Sequence, residues 1–211
     1  MKNKFKLREN LSVIFNLLMV LLTISGFIYV LSSDLTVSER IGWLQFFTVD
    51  SNILCGICAL IYLITEIVCF RKGKKIPFGI TVLKYVGTSA IGLTFIVVLA
   101  YLSWALGPQE CFTGPNLFMH LIMPVLALVS FIVFECPSDF KFRNTIFGFI
   151  PCFIYGIIYL IFVVFISKEN GGWNDIYYFN AGGKWFLTMP AVYIAGYTTS
   201  VIVWALGKIK K

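Results

Sequence analysis

Six runs of about twenty or more mainly apolar residues decide what this chain can become. They lie at about 11–32, 46–70, 78–104, 116–135, 145–167 and 185–207. A helix of that length crosses roughly 30 Å of hydrocarbon. Hydrocarbon offers no partner to open backbone N–H and C=O groups, so each run is expected to satisfy its own hydrogen bonds as a helix. The expected class is an all-α integral membrane protein with six transmembrane helices. Little remains beyond short tails and loops, so residues 1–211 are expected to form a single six-helix transmembrane domain. The chain is 59% hydrophobic and 13% charged. Soluble domains carry about 25% charged residues. That shortfall excludes an ordinary soluble enzyme, a disordered chain and a nucleic-acid-binding domain.

The amino-terminal end has the look of a secretory signal: Lys2, Lys4, Lys6 and Arg8, then an apolar run. That run is too long for a signal core, and no A-x-A-like cleavage site follows it, so it reads as a retained first span. Basic residues alternate by loop. One side collects the first tail, Arg71, Lys72, Lys74 and Lys75, then Lys141 and Arg143, then Lys208, Lys210 and Lys211. The other side has only Arg40, Lys168 and Lys184, and Lys84 lies within the third run. The positive-inside rule then makes both termini cytoplasmic, which an even span count requires to be on one side. The Lys-, Ile- and Phe-rich make-up suggests a bacterial plasma membrane.

Polar residues within the runs mark where function is sought. The second run opens WLQFFTVDSN and the fourth GPNLFMHLIMP. At 100° per residue, Thr48 and Asn52 lie about 40° apart and Ser51 about 60° from Thr48, on one stripe. Asp50 sits about 160° away and should face another neighbour. Asn116, His120 and Pro124 share a face at i, i+4 spacing. Runs two and four traverse in the same direction, which puts Thr48 and His120 at similar depth near the outer surface. A hydroxyl and an imidazole so placed form a candidate nucleophile–base pair. Two plainer readings compete. A membrane threonine commonly returns its hydroxyl to a carbonyl one turn back, and a lone histidine often serves only as a structural hydrogen-bonding group.

The segment Trp43–Asn52, with its F-[FL]-T core at Phe46–Thr48, and His120 followed by Pro124 resemble the androgen-induced and androgen-dependent transmembrane threonine hydrolases. Phe47–Asn52 is also similar to the F-T-x-x-S-N segment of their bacterial multi-pass relatives. The spacing from His120 to Pro124 is one residue shorter than in the animal proteins. The resemblance implies a membrane-embedded hydrolase of fatty acid esters of hydroxy fatty acids or similar lipid esters. Thr48 would be its nucleophile and His120 its base, with no cofactor and no metal. Its substrate would arrive from the bilayer, with membrane lipids as its surroundings and no nucleic acid as partner.

In that chemistry Ser51 and Asn52 are candidates to stabilise the developing oxyanion, a contact worth roughly 2.7–4 kcal/mol per donor. Asn116, one turn before His120, is a candidate to orient the imidazole, and Asp50 is the best carboxylate candidate for that role, though its helical angle argues against it. The longest loop, about 168–184, carries Trp173, Tyr177 and Tyr178, which read either as an interfacial aromatic belt or as a lid. Glu66 and Lys84 are expected to pair across the second and third runs, or Lys84 to snorkel, while Glu135 should be solvated at the inner face. The six cysteines suggest small buried side chains rather than a metal or disulfide framework. The competing classes are a non-catalytic transporter or lipid-binding protein, which Pro124 and Pro151 would suit, and a structural or regulatory membrane subunit.

Overall fold

The computed structural model describes residues 2–166 and 168–209, with side chains from residue 7 onward. Six helices are long and apolar enough to cross a membrane: Leu7–Ser32, Phe47–Arg71, Phe78–Ala105, Gly114–Glu135, Phe142–Phe165 and Trp185–Ile209. They are spans one to six below. No strand occurs among the described residues. The protein is an all-α integral membrane protein, as its apolar runs require. The helix of span one runs Lys2–Ser32, and span five runs from Phe142 rather than 145. Ser167, the expected end of span five, lies outside the described residues, as do Lys210, Lys211 and the side chains of Lys2, Lys4 and Lys6.

Local chemistry sets the span ends. Span two stops where Gly73 takes φ 61°, a left-handed conformation that costs glycine nothing. Gly73 N–H then donates to the Phe70 carbonyl at 3.2 Å and Lys74 N–H to that of Cys69 at 2.9 Å. These two bonds form a Schellman closure of the last turn. Pro77 follows and opens span three.

Span three lies at the centre and packs on spans two, four, five and six. Its continuous buried stretch Gly87–Thr94 is built largely from Gly, Thr, Ser and Ala. Such residues let backbones approach closely where lipid supplies no hydrophobic drive between helices. Span five answers with Gly148, whose missing Cβ would stand 2.5 Å from the hydroxyls of both Ser89 and Ser200. Tyr85, fully buried, shares a hydrogen bond of 2.7 Å with the Ser200 hydroxyl and joins spans three and six. Met19, Cys55, Ala59, Leu63, Ile91 and Met123 form one core cluster. Tyr85, Phe131, Phe140 and Val203 form another. All six cysteines are buried in this packing.

The bundle is polar within and apolar without. Ile14, Leu17, Leu21, Ile57, Ile64 and Ile154 face outward, while Asn16, Glu66, Lys84 and Glu135 are buried. Water would not tolerate that surface, but lipid requires it. Lys84 neither snorkels nor pairs with Glu66. It is 0% exposed, and its ammonium lies 3.8 Å from Glu135. Glu135 is likewise not solvated: it is 6% exposed. Residues Ser130–Glu135 form a π-helical turn, which brings residue i+5 over residue i. Ser130 donates to the Glu135 carboxylate at 2.6 Å, and the acid turns inward.

Candidate functional site

Span two starts abruptly. Phe46 is extended at φ −100°, ψ 119°, and contributes no side-chain cap to the helix beginning at Phe47. The first N–H groups of such a helix need outside acceptors. One comes from the long loop between spans five and six: Phe47 N–H donates to the Tyr177 hydroxyl at 3.1 Å. The same phenol meets the backbone and hydroxyl of Thr48, and Tyr155 of span five. Burial pushes the Tyr177 pKa up, so it remains an intact phenol.

The loop is shaped to deliver Tyr177. Asp175 accepts from the N–H groups of Phe179 at 2.7 Å and Asn180 at 2.8 Å, which closes a tight turn. Its carboxylate also accepts from the Tyr159 hydroxyl at 3.3 Å. Trp173 donates its N–H to the Phe162 carbonyl at 2.8 Å. Its ring stacks on Phe162 with centroids 4.6 Å apart. These bonds clamp the loop on span five. Of the three lid candidates, Tyr177 reaches Thr48, Trp173 anchors the loop, and Tyr178 stands aside, 67% exposed.

Thr48 is half-buried, and two side chains converge on its carbonyl. Ser51 donates to it at 3.1 Å and shares a 2.7 Å hydrogen bond with Thr94 of span three. Asn52 donates to the Thr48 carbonyl at 2.7 Å and to the Met119 carbonyl of span four at 3.2 Å. One amide therefore pins spans two and four together beside His120. Both proposed oxyanion donors are thus engaged in holding the first turn of span two.

His120 is 8% exposed. Its Nδ1 lies 2.8 Å from the Cys111 carbonyl. A carbonyl oxygen can only accept, so Nδ1 carries the proton. In the neutral ring Nε2 is then the free basic nitrogen. Asn116 does not orient the imidazole, contrary to the expectation from spacing. Its amide donates to the Glu110 carbonyl at 2.8 Å, because the loop folds back over the start of span four. Asn116 and His120 therefore hold the adjoining carbonyls of one short helix, Pro108–Phe112. Gly107 and Gly114 flank that helix at φ 93° and 54° and make the reversals. Burial pushes the Cys111 thiol pKa up, so it is a packed thiol and not a reactive thiolate.

Among the described residues no hydrogen bond joins Thr48 to His120. The structure sets them on adjoining, pinned helices, with the Thr48 hydroxyl at present against Tyr177. Asp50 faces away from His120, as its helical angle requires. It lines a groove of about 360 Å³ between spans two, three and five, together with Ser51, Leu54, Ala90, Ile154 and Tyr155. Three contributors escaped the sequence: the Cys111 carbonyl, Tyr155 and Thr94. A backbone carbonyl has no sequence signature, and the two side chains act from other spans.

No protein-family model, curated protein or solved structure matches the chain.

Proposed function

We propose that this protein is a membrane-embedded hydrolase of lipid esters, with Thr48 as nucleophile and His120 as general base. The observation that carries this reading is the His120 tautomer. The Cys111 carbonyl holds Nδ1–H, which leaves Nε2 basic on a helix that Asn52 fastens beside Thr48. A threonine alcohol is a poor nucleophile without such a base.

The chemistry follows in two halves. Thr48 Oγ attacks the ester carbonyl carbon and gives its proton to Nε2. The leaving alcohol takes that proton back and departs, leaving an acyl-threonine. Water then attacks the acyl carbon, with His120 taking and returning a proton, and releases the free acid and Thr48. Displacement of the Tyr177 phenol frees both the Thr48 hydroxyl and the span-two N–H groups for the ester. A helix N-terminus favours the negative charge that develops on the ester oxygen. The groove beginning at Phe47 is apolar along most of its length and suits an acyl chain entering sideways from lipid. This route avoids the cost of about 0.8 kcal/mol for each methylene brought into water.

The resemblance at Phe46–Thr48 and His120 points the same way, to fatty acid esters of hydroxy fatty acids. Purified protein should hydrolyse such an ester. His120→Ala should lower turnover about 10²–10⁴-fold, and Thr48→Ala should remove the acyl-enzyme, with both variants still eluting as folded protein. Parental turnover in both variants would exclude this mechanism. The groove also favours a second reading, a lipid-binding protein without chemistry. Stoichiometric lipid retention with no turnover by the parent would select it.

A further inference from the structure

At the end of the bundle away from Thr48, four spans bring six polar side chains together: Ser12, Asn16, Glu66, Lys84, Ser130 and Glu135. None is more than 6% exposed. The plain reading is a structural network that fixes helix packing. Its donors and acceptors do not match evenly.

Glu135 Oε1 accepts from Asn16 at 2.6 Å, Ser130 at 2.6 Å and Ser12 at 3.3 Å. The Lys84 ammonium lies 3.8 Å from its other oxygen and donates to Asn16 Oδ1 at 2.7 Å. Three donors and an adjacent cation describe an ionised carboxylate. Glu66 stands differently. Among the described residues its hydrogen-bond partner is the Ser12 hydroxyl, and its Oε2, like that of Glu135, is buried with none. Ser12 has one hydroxyl proton; given to Glu135 across the 3.3 Å contact, it leaves Ser12 an acceptor towards Glu66. A carboxylate cannot bond to an acceptor; a carboxylic acid can.

Charge counting agrees. Lys84 and Glu135 neutralise each other, and an ionised Glu66 would be a buried anion without a paired cation among the described residues. Glu9 of span one and Tyr62 of its own span also act on it, and Arg8 of span one and Cys136 after span four act on Tyr62. Arg8 donates to the Phe134 carbonyl at 2.9 Å, and Glu9 adds negative charge. Among the described residues no ion pair joins Glu66 to a cation.

We propose that Glu66, Ser12 and Glu135 form an intramembrane proton-binding site, with the proton resident on Glu66 and exchangeable with Glu135 through the serine. In the exchange, the Glu66 proton passes to Ser12 Oγ as the Ser12 proton passes to Glu135 Oε1. One carboxyl becomes a carboxylate and the other an acid, so the net charge is unchanged. This site stands apart from Thr48 and His120 and does not depend on their chemistry.

Infrared difference spectroscopy of the purified protein tests it, because a carboxylic acid and a carboxylate absorb in separate C=O bands. The difference between parent and Glu66→Gln at neutral pH should show loss of an acid band. Loss of carboxylate bands instead overturns the proposal. In Glu135→Gln, Glu66 becomes the sole counter-ion of Lys84 and should ionise, so the same acid band disappears; its survival overturns the exchange. Glu66→Gln should keep the parental thermal midpoint, since its amide can donate to Ser12 as the acid does. A large fall in that midpoint would show that Glu66 is needed as an anion.

Discussion

Tyr177 shows what one side chain contributes to this site. Its hydroxyl supplies the cap that Phe46 lacks, from 130 positions along the chain. Replacing a helix cap costs about 1 kcal/mol. Tyr177→Phe should therefore lower stability by about that amount, read as an earlier midpoint in thermal unfolding. If the phenol also shields Thr48, the variant should bind ester more readily, so KM falls. An unchanged midpoint would show that the Phe47 N–H finds another acceptor. His120 contributes through its tautomer, and here pH is the lever. Protonation of Nε2 removes the only lone pair able to take the Thr48 proton. Ester turnover should fall on the acid side of its profile, and a flat profile through the histidine range would deny the imidazole that role. Thr48 and His120 were legible as candidate residues. Their immediate partners were not, because a carbonyl at Cys111 and a phenol in a distant loop leave no mark on the local pattern.

At the scale of elements, the departures from ideal α-helix matter most. Phe118–Ile122 and Ser130–Glu135 are π-helical turns within span four. The first contains His120 and the second turns Glu135 onto Ser130. Helical angles counted at 100° per residue cannot anticipate an i, i+5 contact. This is why Glu135 read as a solvated span end and proved to be a buried partner of Lys84. Close helix approach is the second element-scale device. Gly148 lets span five meet Ser89 and Ser200, and the Ser200 hydroxyl donates to the Thr145 carbonyl at 2.6 Å. Gly148→Ala must push spans three, five and six apart or displace both hydroxyls. Such overpacking costs about 1–3 kcal/mol. The variant should unfold earlier than the parent in detergent, and an equal midpoint would mean the three-span junction yields freely.

For the whole molecule, lipid is the solvent that makes the arrangement coherent. Lys84 at the centre and isoleucines at the rim would be inverted in water. Six spans place both termini on one side, and the charge pattern predicts that side to be cytoplasmic. Reporters fused to either end should therefore give the same compartment, active if they require the cytoplasm. Reporters in different compartments would require an odd number of crossings. Reporters together on the far side would reverse the charge reading and put the Thr48 end of the bundle inside.

The class and span count were available from composition and run length alone, because the cost of an unpaired peptide group in hydrocarbon admits only helices of that length or closed barrels. The expectation that Thr48 and His120 share a depth came from direction and rise per residue. What no run of residues announces is which inward faces meet. Lys84 chose Glu135 over Glu66 through a π-turn on another span, and Asn116 took a loop carbonyl in place of the imidazole. Those choices depend on contacts between segments far apart in the chain, and folding alone brings them within reach of one another.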